Sequence, residues 1–257
     1  MSLPFRIAQL SDTHISDRKP EGVQRLAAII DELRRDPPDL VVHTGDIVFW
    51  EPDNAVDHAR AKELMSRLPD GVPVFALAGN HDIGERGPTP WNGPVIREDW
   101  VAAFGTNWGP GRFVLDPPSG TWRVIGIDAM LIGTGLARAA QQRAWLAQQL
   151  AEAGGPVLLF IHQPLRFYGA AIDDPGGLAL NDDDLESLLA TADVRIVSSG
   201  HLHRYRVRTA PQGWTEVWAP STLFIGDDWG DGAELARGWV ELTLHDEGTS
   251  TVTRRDV

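Results

Sequence analysis

Apolar positions along the chain switch between two periods. Phe5–Leu10, Leu40–His43, Val72–Ala78, Trp122–Ile127, Val157–Ile161 and Val194–Val197 are short runs rich in Val, Ile and Leu, the pattern of buried strands. Between them, residues 21–35 carry Val23, Leu26, Ala27, Ile30 and Leu33 at helical spacing, and Pro37-Pro38 stops that helix. Residues 53–67, 95–104 and 138–151 read as further helices, the last ended by Gly154-Gly155-Pro156. Residues 84–94 are rich in Gly and Pro and predict a loop, and a long loop is expected from Gln163 to about Leu180. Asn181 then resembles an N-cap, with Asp182, Asp183 and Asp184 in the first turn, where carboxylates complement the helix dipole. Past residue 204 short strands dominate, with turns at Pro211-Gln212-Gly213 and Asp246-Glu247-Gly248.

Alternating strands and helices over the first 200 residues predict a largely parallel sheet. The strand-rich tail predicts a second sheet packed beside it. With no internal repeat or low-complexity linker, residues 1–257 are expected to form one domain with a strand-rich C-terminal part from about residue 204.

Composition removes several classes. The chain has no Cys, which excludes disulfides, thiol catalysis and Cys-ligated zinc or iron–sulfur sites and suits a reducing, cytoplasmic setting. No apolar run exceeds five residues, far short of the roughly 20 that span a bilayer. The N-terminus lacks a basic segment followed by an apolar one, so neither membrane insertion nor a signal peptide is expected. A formal charge of −13 disfavours polymeric nucleic acid. It does not exclude a small anionic substrate, because a metal site inverts the local field.

Five predicted strands each run into polar groups that could bind metal. They are Asp12-Thr13-His14, Gly45-Asp46, Gly79-Asn80-His81-Asp82, His162 and Gly200-His201-Leu202-His203. Ligands bind beyond the carboxyl ends of strands in open α/β sheets, so these clusters should converge. Asp12 with His14, and His201 with His203, are two residues apart, and extended backbone would point both members the same way. Gly45, Gly79 and Gly200 permit sharp turns and close approach beside them. Carboxylate, imidazole and one amide, without thiolate, suit manganese, iron or zinc better than copper(I) or calcium. The set exceeds what one ion needs, and two ions sharing a carboxylate would use it fully.

The order DxH, GD, GNHD, H, GHxH resembles the calcineurin-like metallophosphoesterase superfamily, and the matched motifs run from Asp12 to His203, about three quarters of the chain. The resemblance implies an α/β fold, a four-layer α-β-β-α sandwich of two mixed sheets. It implies that Asp12, His14, Asp46 and His203 hold one metal, and that Asp46, Asn80, His162 and His201 hold a second, with Asp46 bridging. His81 would stay off the metals as proton donor to the leaving oxygen or as charge stabiliser, and Asp82 would orient His81. The activity implied is phosphoester hydrolysis by a bridging hydroxide on two divalent or mixed-valence ions of Mn, Fe or Zn.

Within the superfamily, GD is followed by Ile47-Val48-Phe49-Trp50, not by the x-x-D-R-G of phosphoprotein phosphatases. Phe49 stands where purple acid phosphatases place Tyr, and His81 where UDP-diacylglucosamine pyrophosphatases usually have Arg. The usual acidic residue shortly after GD is absent. The chain is similar to the bacterial branch that hydrolyses cyclic nucleotides and glycerophosphodiesters, and Ala219-Pro220-Ser221-Thr222 fits that branch. A small phosphodiester is therefore the expected substrate. Alternatives are a phosphomonoesterase, nucleotidase or pyrophosphatase of the same fold, a non-catalytic metal-binding scaffold, or a DNA nuclease. A homo-oligomer stays open through the strand-rich tail.

Other polar and aromatic residues have structural readings. His43 is expected in the core or beside the ligands, and His58 and His245 as solvated or structural. Arg204, Arg206 and Arg208 alternate as on a solvated strand face, with attraction of an anion as the second reading. Asp227, Asp228 and Asp231 around Trp229 suggest a surface loop. Trp122, Trp145, Trp218 and Trp239 are expected in the core, whereas one of Trp50, Trp91 and Trp229 could wall the pocket or stack on a base.

Overall fold

The computed structural model describes residues 3–49, 52–89, 93–167 and 177–257. In chain order the elements are β1 (Phe5–Leu10), α1 (Pro20–Arg35), β2 (Leu40–His43), α2 (Ala55–Met65), β3 (Val74–Ala76), α3 (Asn80–Ile83) and α4 (Glu98–Trp108). Then come β4 (Phe113–Leu115), β5 (Arg123–Gly126), α5 (Ala137–Ala151), β6 (Val157–Phe160), α6 (Asp183–Leu189) and β7 (Val194–Ser199). The tail adds β8 (Arg206–Thr209), β9 (Thr215–Trp218), β10 (Gly238–Leu244) and β11 (Ser250–Asp256). Two sheets form, in the orders β11-β10-β1-β2-β3 and β4-β5-β6-β7-β9-β8. In the first, β1-β2-β3 are parallel with β3 at one edge, and β10 and β11 add antiparallel pairings on the other side; in the second, a parallel centre β5-β6-β7-β9 is flanked by antiparallel β4 and β8.

Side-chain alternation along each strand sorts the core into three layers. Ile7, Leu40 and Val42 meet Val124, Leu158 and Phe160 between the two sheets. Their neighbours Ala8, Leu10 and Val41 turn outward onto Leu26, Ile29, Ile30 and Leu33 of α1. On the opposite side Ile125, Val157 and Leu159 turn onto Leu146 and Leu150 of α5 and Leu185 and Leu189 of α6. The result is the helix–sheet–sheet–helix sandwich, and it explains why the central strands read as unbroken apolar runs: both faces are covered. Among the described residues no helix is long and apolar enough to cross a membrane.

Three expectations need correction. The tail does not build a sheet of its own. β8 and β9 extend the second sheet, while β10 pairs antiparallel with the free edge of β1, Phe5 opposite Leu244, and carries β11. The N-cap of α6 is Asp182, whose Oδ1 accepts from Leu185 N at 2.7 Å. Asn181 sits one residue earlier at φ 50°, tied to Leu165 O through its own N–H. The helix expected at 95–104 begins at Glu98, because Glu85 N donates to Pro94 O and Ile96 N to Glu85 O, which holds that stretch extended.

Leu158 is fully buried between the sheets. Leu158→Ala should lower stability in urea unfolding by about 2–5 kcal/mol; a loss below about 1 kcal/mol would contradict tight inter-sheet packing.

Candidate metal centre

The carboxyl ends of β1, β2 and β3 deliver Asp12 and His14, Asp46, and Asn80 and His81. Those of β6 and β7 deliver His162, His201 and His203 from the other sheet. Two groups result among the described residues: Asp12, His14, Asp46 and His203, and Asp46, His162 and His201, with ligand atoms within 4.8 Å of one another. Asp46 belongs to both, its Oδ2 3.8 Å from His14 Nε2 and its Oδ1 3.4 Å from His162 Nε2. Asn80 Oδ1 joins the second group, 3.2 Å from His162 Nε2. All seven residues expected to ligate metal therefore come together.

The backbone reaches this arrangement in an unexpected way. Asp12, His14, Asp46, His201 and His203 have φ of 53°, 45°, 54°, 68° and 54°, in the left-handed region. The two i, i+2 pairs are thus not extended, and their side chains converge through left-handed turns instead. That conformation costs a non-glycine residue roughly 1–2 kcal/mol. Neighbouring chain holds it in place: Asp12 N donates to Gly45 O at 2.9 Å, His14 N to Asp46 O at 3.0 Å and Ser221 Oγ to Asp12 O at 2.7 Å. Gly45 itself has φ 106°, and a Cβ there would lie 2.6 Å from Gly79 N and 2.7 Å from His162 Nδ1. Only glycine lets these three segments meet.

Two backbone carbonyls set the imidazoles. His162 Nδ1 lies 2.8 Å from Thr44 O and His201 Nε2 lies 2.8 Å from Gly177 O. A carbonyl only accepts, so those nitrogens carry the protons and His162 Nε2 and His201 Nδ1 present lone pairs, 3.2 Å apart. With Asp46 Oδ1 and Asn80 Oδ1 they gather four acceptors around one point. In the other group His14 Nε2 and His203 Nε2 lie 3.1 Å apart, and buried Asp12 Oδ1 has no hydrogen-bond donor. Burial holds His14 well below its ordinary pKa and takes His201 to about 4, which favours neutral imidazole. Burial also works against the Asp12 carboxylate, but the His203, His162 and His14 imidazoles outweigh it and keep that group ionised far below the usual range. At His162 burial opposes a second proton, while Asp46 and Asp12 favour one and raise its pKa. A proton and a cation thus compete for the same nitrogen. The buried carboxylate, amide and imidazole acceptors that converge on these two points fit bound divalent metal.

A sequence model of the calcineurin-like phosphoesterases matches residues 5–205. The chain belongs to the calcineurin-like phosphoesterase family. It is 29% identical to a Synechococcus sp. strain PCC 6301 protein named "Probable cyclic nucleotide phosphodiesterase", over 96% of this chain and 91% of that one. A protein of the same name from strain WH7803 is 29% identical over 90% of each chain. In fold, the chain is similar to a dimetal phosphatase from Danio rerio, with a TM-score of 0.71, 16% identity, and 99% and 97% of the two chains covered.

In this phosphoesterase His81 lies beside both groups. Its N–H donates to Asp46 Oδ1 at 2.9 Å, and its Nδ1 hydrogen-bonds the Phe49 carbonyl. Its ring meets His14 edge-on, with centroids 4.8 Å apart. The Phe49 carbonyl, not Asp82, fixes that ring. Asp82 accepts from Ile47 N at 3.0 Å, Val48 N at 3.2 Å and Gly79 N at 2.9 Å. It ties the loop carrying Asp46 to the start of α3, which carries Asn80 and His81, and the expected orienting contact to His81 gives way to this clamp. Burial and the neighbouring Asp46 raise its carboxyl to about 6.

The remaining expectations divide. His43 is buried against Thr13 Oγ1 at 3.0 Å and accepts from Gly45 N, so it supports the site without joining it. His58 is structural, held by Pro52 O and Trp108 Nε1. Trp122, Trp218 and Trp239 are core, and Trp145 packs on it partly buried. Arg204 is not on a solvated face: β8 starts two residues later, and Arg204 is fully buried in a two-pronged pair with Asp231 at 2.8 and 2.9 Å. Trp229 covers its guanidinium, 3.9 Å from ring centroid to Cζ. Asp231 accordingly leaves the expected surface loop, whereas Asp227 and Asp228 remain exposed. Trp50 and Trp91 lie outside the described residues.

Phe49, at the position where the resemblance to purple acid phosphatases would put a Tyr, and Phe224, which sequence reasoning did not place at the site, wall its first group. Phe224 lies 5.0 Å from the His14 ring and 5.6 Å from that of His203, and Lys19 Nζ sits 5.2 and 5.6 Å above Phe49 and Phe224. No spacing rule relates Phe224 or Lys19 to the motifs.

Gly45→Ala should destabilise the fold by about 1–3 kcal/mol or more, through backbone strain together with overlap at Gly79 and His162. Denaturant unfolding of the metal-free protein reads this directly, and unchanged stability would contradict the three-segment approach.

Proposed function

We propose that this phosphoesterase hydrolyses a small phosphodiester of the cyclic nucleotide or glycerophosphodiester type. Asp12, His14, Asp46 and His203 would hold one divalent ion, and Asp46, Asn80, His162 and His201 a second. The observation that carries this reading is the pair of bare imidazole nitrogens, His162 Nε2 and His201 Nδ1, turned toward Asp46 and Asn80 by carbonyls behind them. Two such ions would polarise the phosphoryl oxygens and lower the pKa of water at the site. Oxygen and nitrogen donors suit Mn, Fe or Zn.

The chain's own groups support the rest. His81, with Nδ1 held by the Phe49 carbonyl, keeps its Nε2 for the substrate, where it would protonate the leaving oxygen or balance its charge. Asp82 keeps the loops bearing Asp46 and His81 in register. The names of the two Synechococcus relatives favour a diester. The acidic surface disfavours polymeric nucleic acid. Residues 1–257 are read as one domain, supported by β10 and β11 completing the sheet that β1 begins. The lack of Cys supports a cytoplasmic setting.

Chelation should abolish turnover of bis(p-nitrophenyl) phosphate, and added Mn, Fe or Zn should restore it. His81→Ala should keep its metal yet lose about 10²–10⁴-fold in kcat, and full activity would remove its role. Asp46→Ala should lose more than one ion per chain, whereas loss of a single ion would contradict the shared carboxylate. A panel of monoesters, diesters and pyrophosphates decides the substrate class; faster turnover of monoesters would overturn the diester proposal.

A further inference from the structure

Asn80 has an amide that can face its surroundings in two ways. With Oδ1 toward His162 it adds a lone pair to the second group. With the amide flipped, Nδ2 would donate to the bare His162 Nε2 and close that point against a cation. With neither metal nor a second proton on His162, the flipped form is locally favourable, since it pairs a donor with an acceptor. Something must oppose it.

Glu85 is placed to do so. Its Oε1 accepts from Asn80 Nδ2 at 2.9 Å, on the side of the amide away from His162. A flip would turn Asn80 Oδ1 onto this acceptor and forfeit the bond. Glu85 is only 3% exposed, and its backbone is pinned on both sides, N–H to Pro94 O at 2.7 Å and carbonyl to Ile96 N at 2.8 Å. A buried side chain on a fixed backbone cannot follow a flipping amide. Glu85 lies in the Gly-rich segment after GNHD, where the motif pattern assigns it nothing.

We propose that Glu85 is a positioning residue that holds the Asn80 amide with its oxygen toward the second metal point. This rests on the two-metal proposal above. Glu85 touches no reacting atom and acts through Asn80, so its removal should weaken one ion and leave the other alone. Outer partners of metal ligands typically contribute 10–100-fold in affinity.

The test uses the metal-stripped full chain, titrated with Zn²⁺ against a competing chelator. Wild type should bind two ions. Glu85→Leu should weaken one of them about 10–100-fold and leave the other unchanged. Glu85→Gln, whose Oε1 still accepts from Asn80, should bind both ions nearly as wild type does. In an Asn80→Ala background, Glu85→Leu should weaken neither ion further. Should Glu85→Leu fail to fold, Glu85→Ser shortens the side chain out of reach and reads the same two affinities. Wild-type affinities in Glu85→Leu, equal weakening of both ions, or a full effect in the Asn80→Ala background would overturn the proposal. Fewer than two ions in wild type would instead fault the two-metal proposal itself.

Discussion

Thr44 O and Gly177 O each take the proton-bearing nitrogen of a buried imidazole, and the rest of the site depends on that pairing. Each bond leaves a lone pair aimed at the space between the sheets, where Asp46 and Asn80 add oxygens. Acceptor atoms 3.2–3.4 Å apart repel one another in isolation and cohere around a cation. The sandwich supplies the walls that make this collection buried and directional.

That gathering shapes the backbone around it. Five of the proposed ligands sit in left-handed turns, each strained by roughly 1–2 kcal/mol. Hydrogen bonds to the Gly45 and Asp46 carbonyls and from Ser221 Oγ keep the Asp12–His14 turn from relaxing, and Asp82 fastens the 46–48 loop to Gly79. Strain concentrated at the ends of otherwise regular strands is how fixed geometry is stored where chemistry needs it. A cation bound only by the folded chain would stabilise the fold by mass action, offsetting part of that strain.

Much of this was legible in the residues. Parallel strands present their carboxyl ends together, which gathers the polar clusters after Leu10, His43 and Ala78 in one sheet and those after Ile161 and Val197 in the other, and the order of the clusters pointed to the family. What stayed hidden was decided by tertiary contact. Asp82 could reach a neighbouring side chain or the amides of an approaching loop, and the fold chose the amides. Arg204 looked like the start of an alternating strand, but Asp231 returns from 27 residues away to bury it. Left-handed φ at Asp12 or His201 leaves no mark in composition, since glycine, the usual sign, stands one residue before Asp46 and His201 instead. Glu85 reads as loop until Pro94 and Ile96 are seen to pin it.

One carboxylate, that of Asp46, is proposed to serve both metal points. Anomalous diffraction from crystals soaked in Zn²⁺ tests it most directly. The account predicts two peaks, one among Asp12, His14 and His203 and one among Asn80, His162 and His201, each with an oxygen of Asp46 as a ligand. A single peak, or two peaks of which only one touches Asp46, would contradict it.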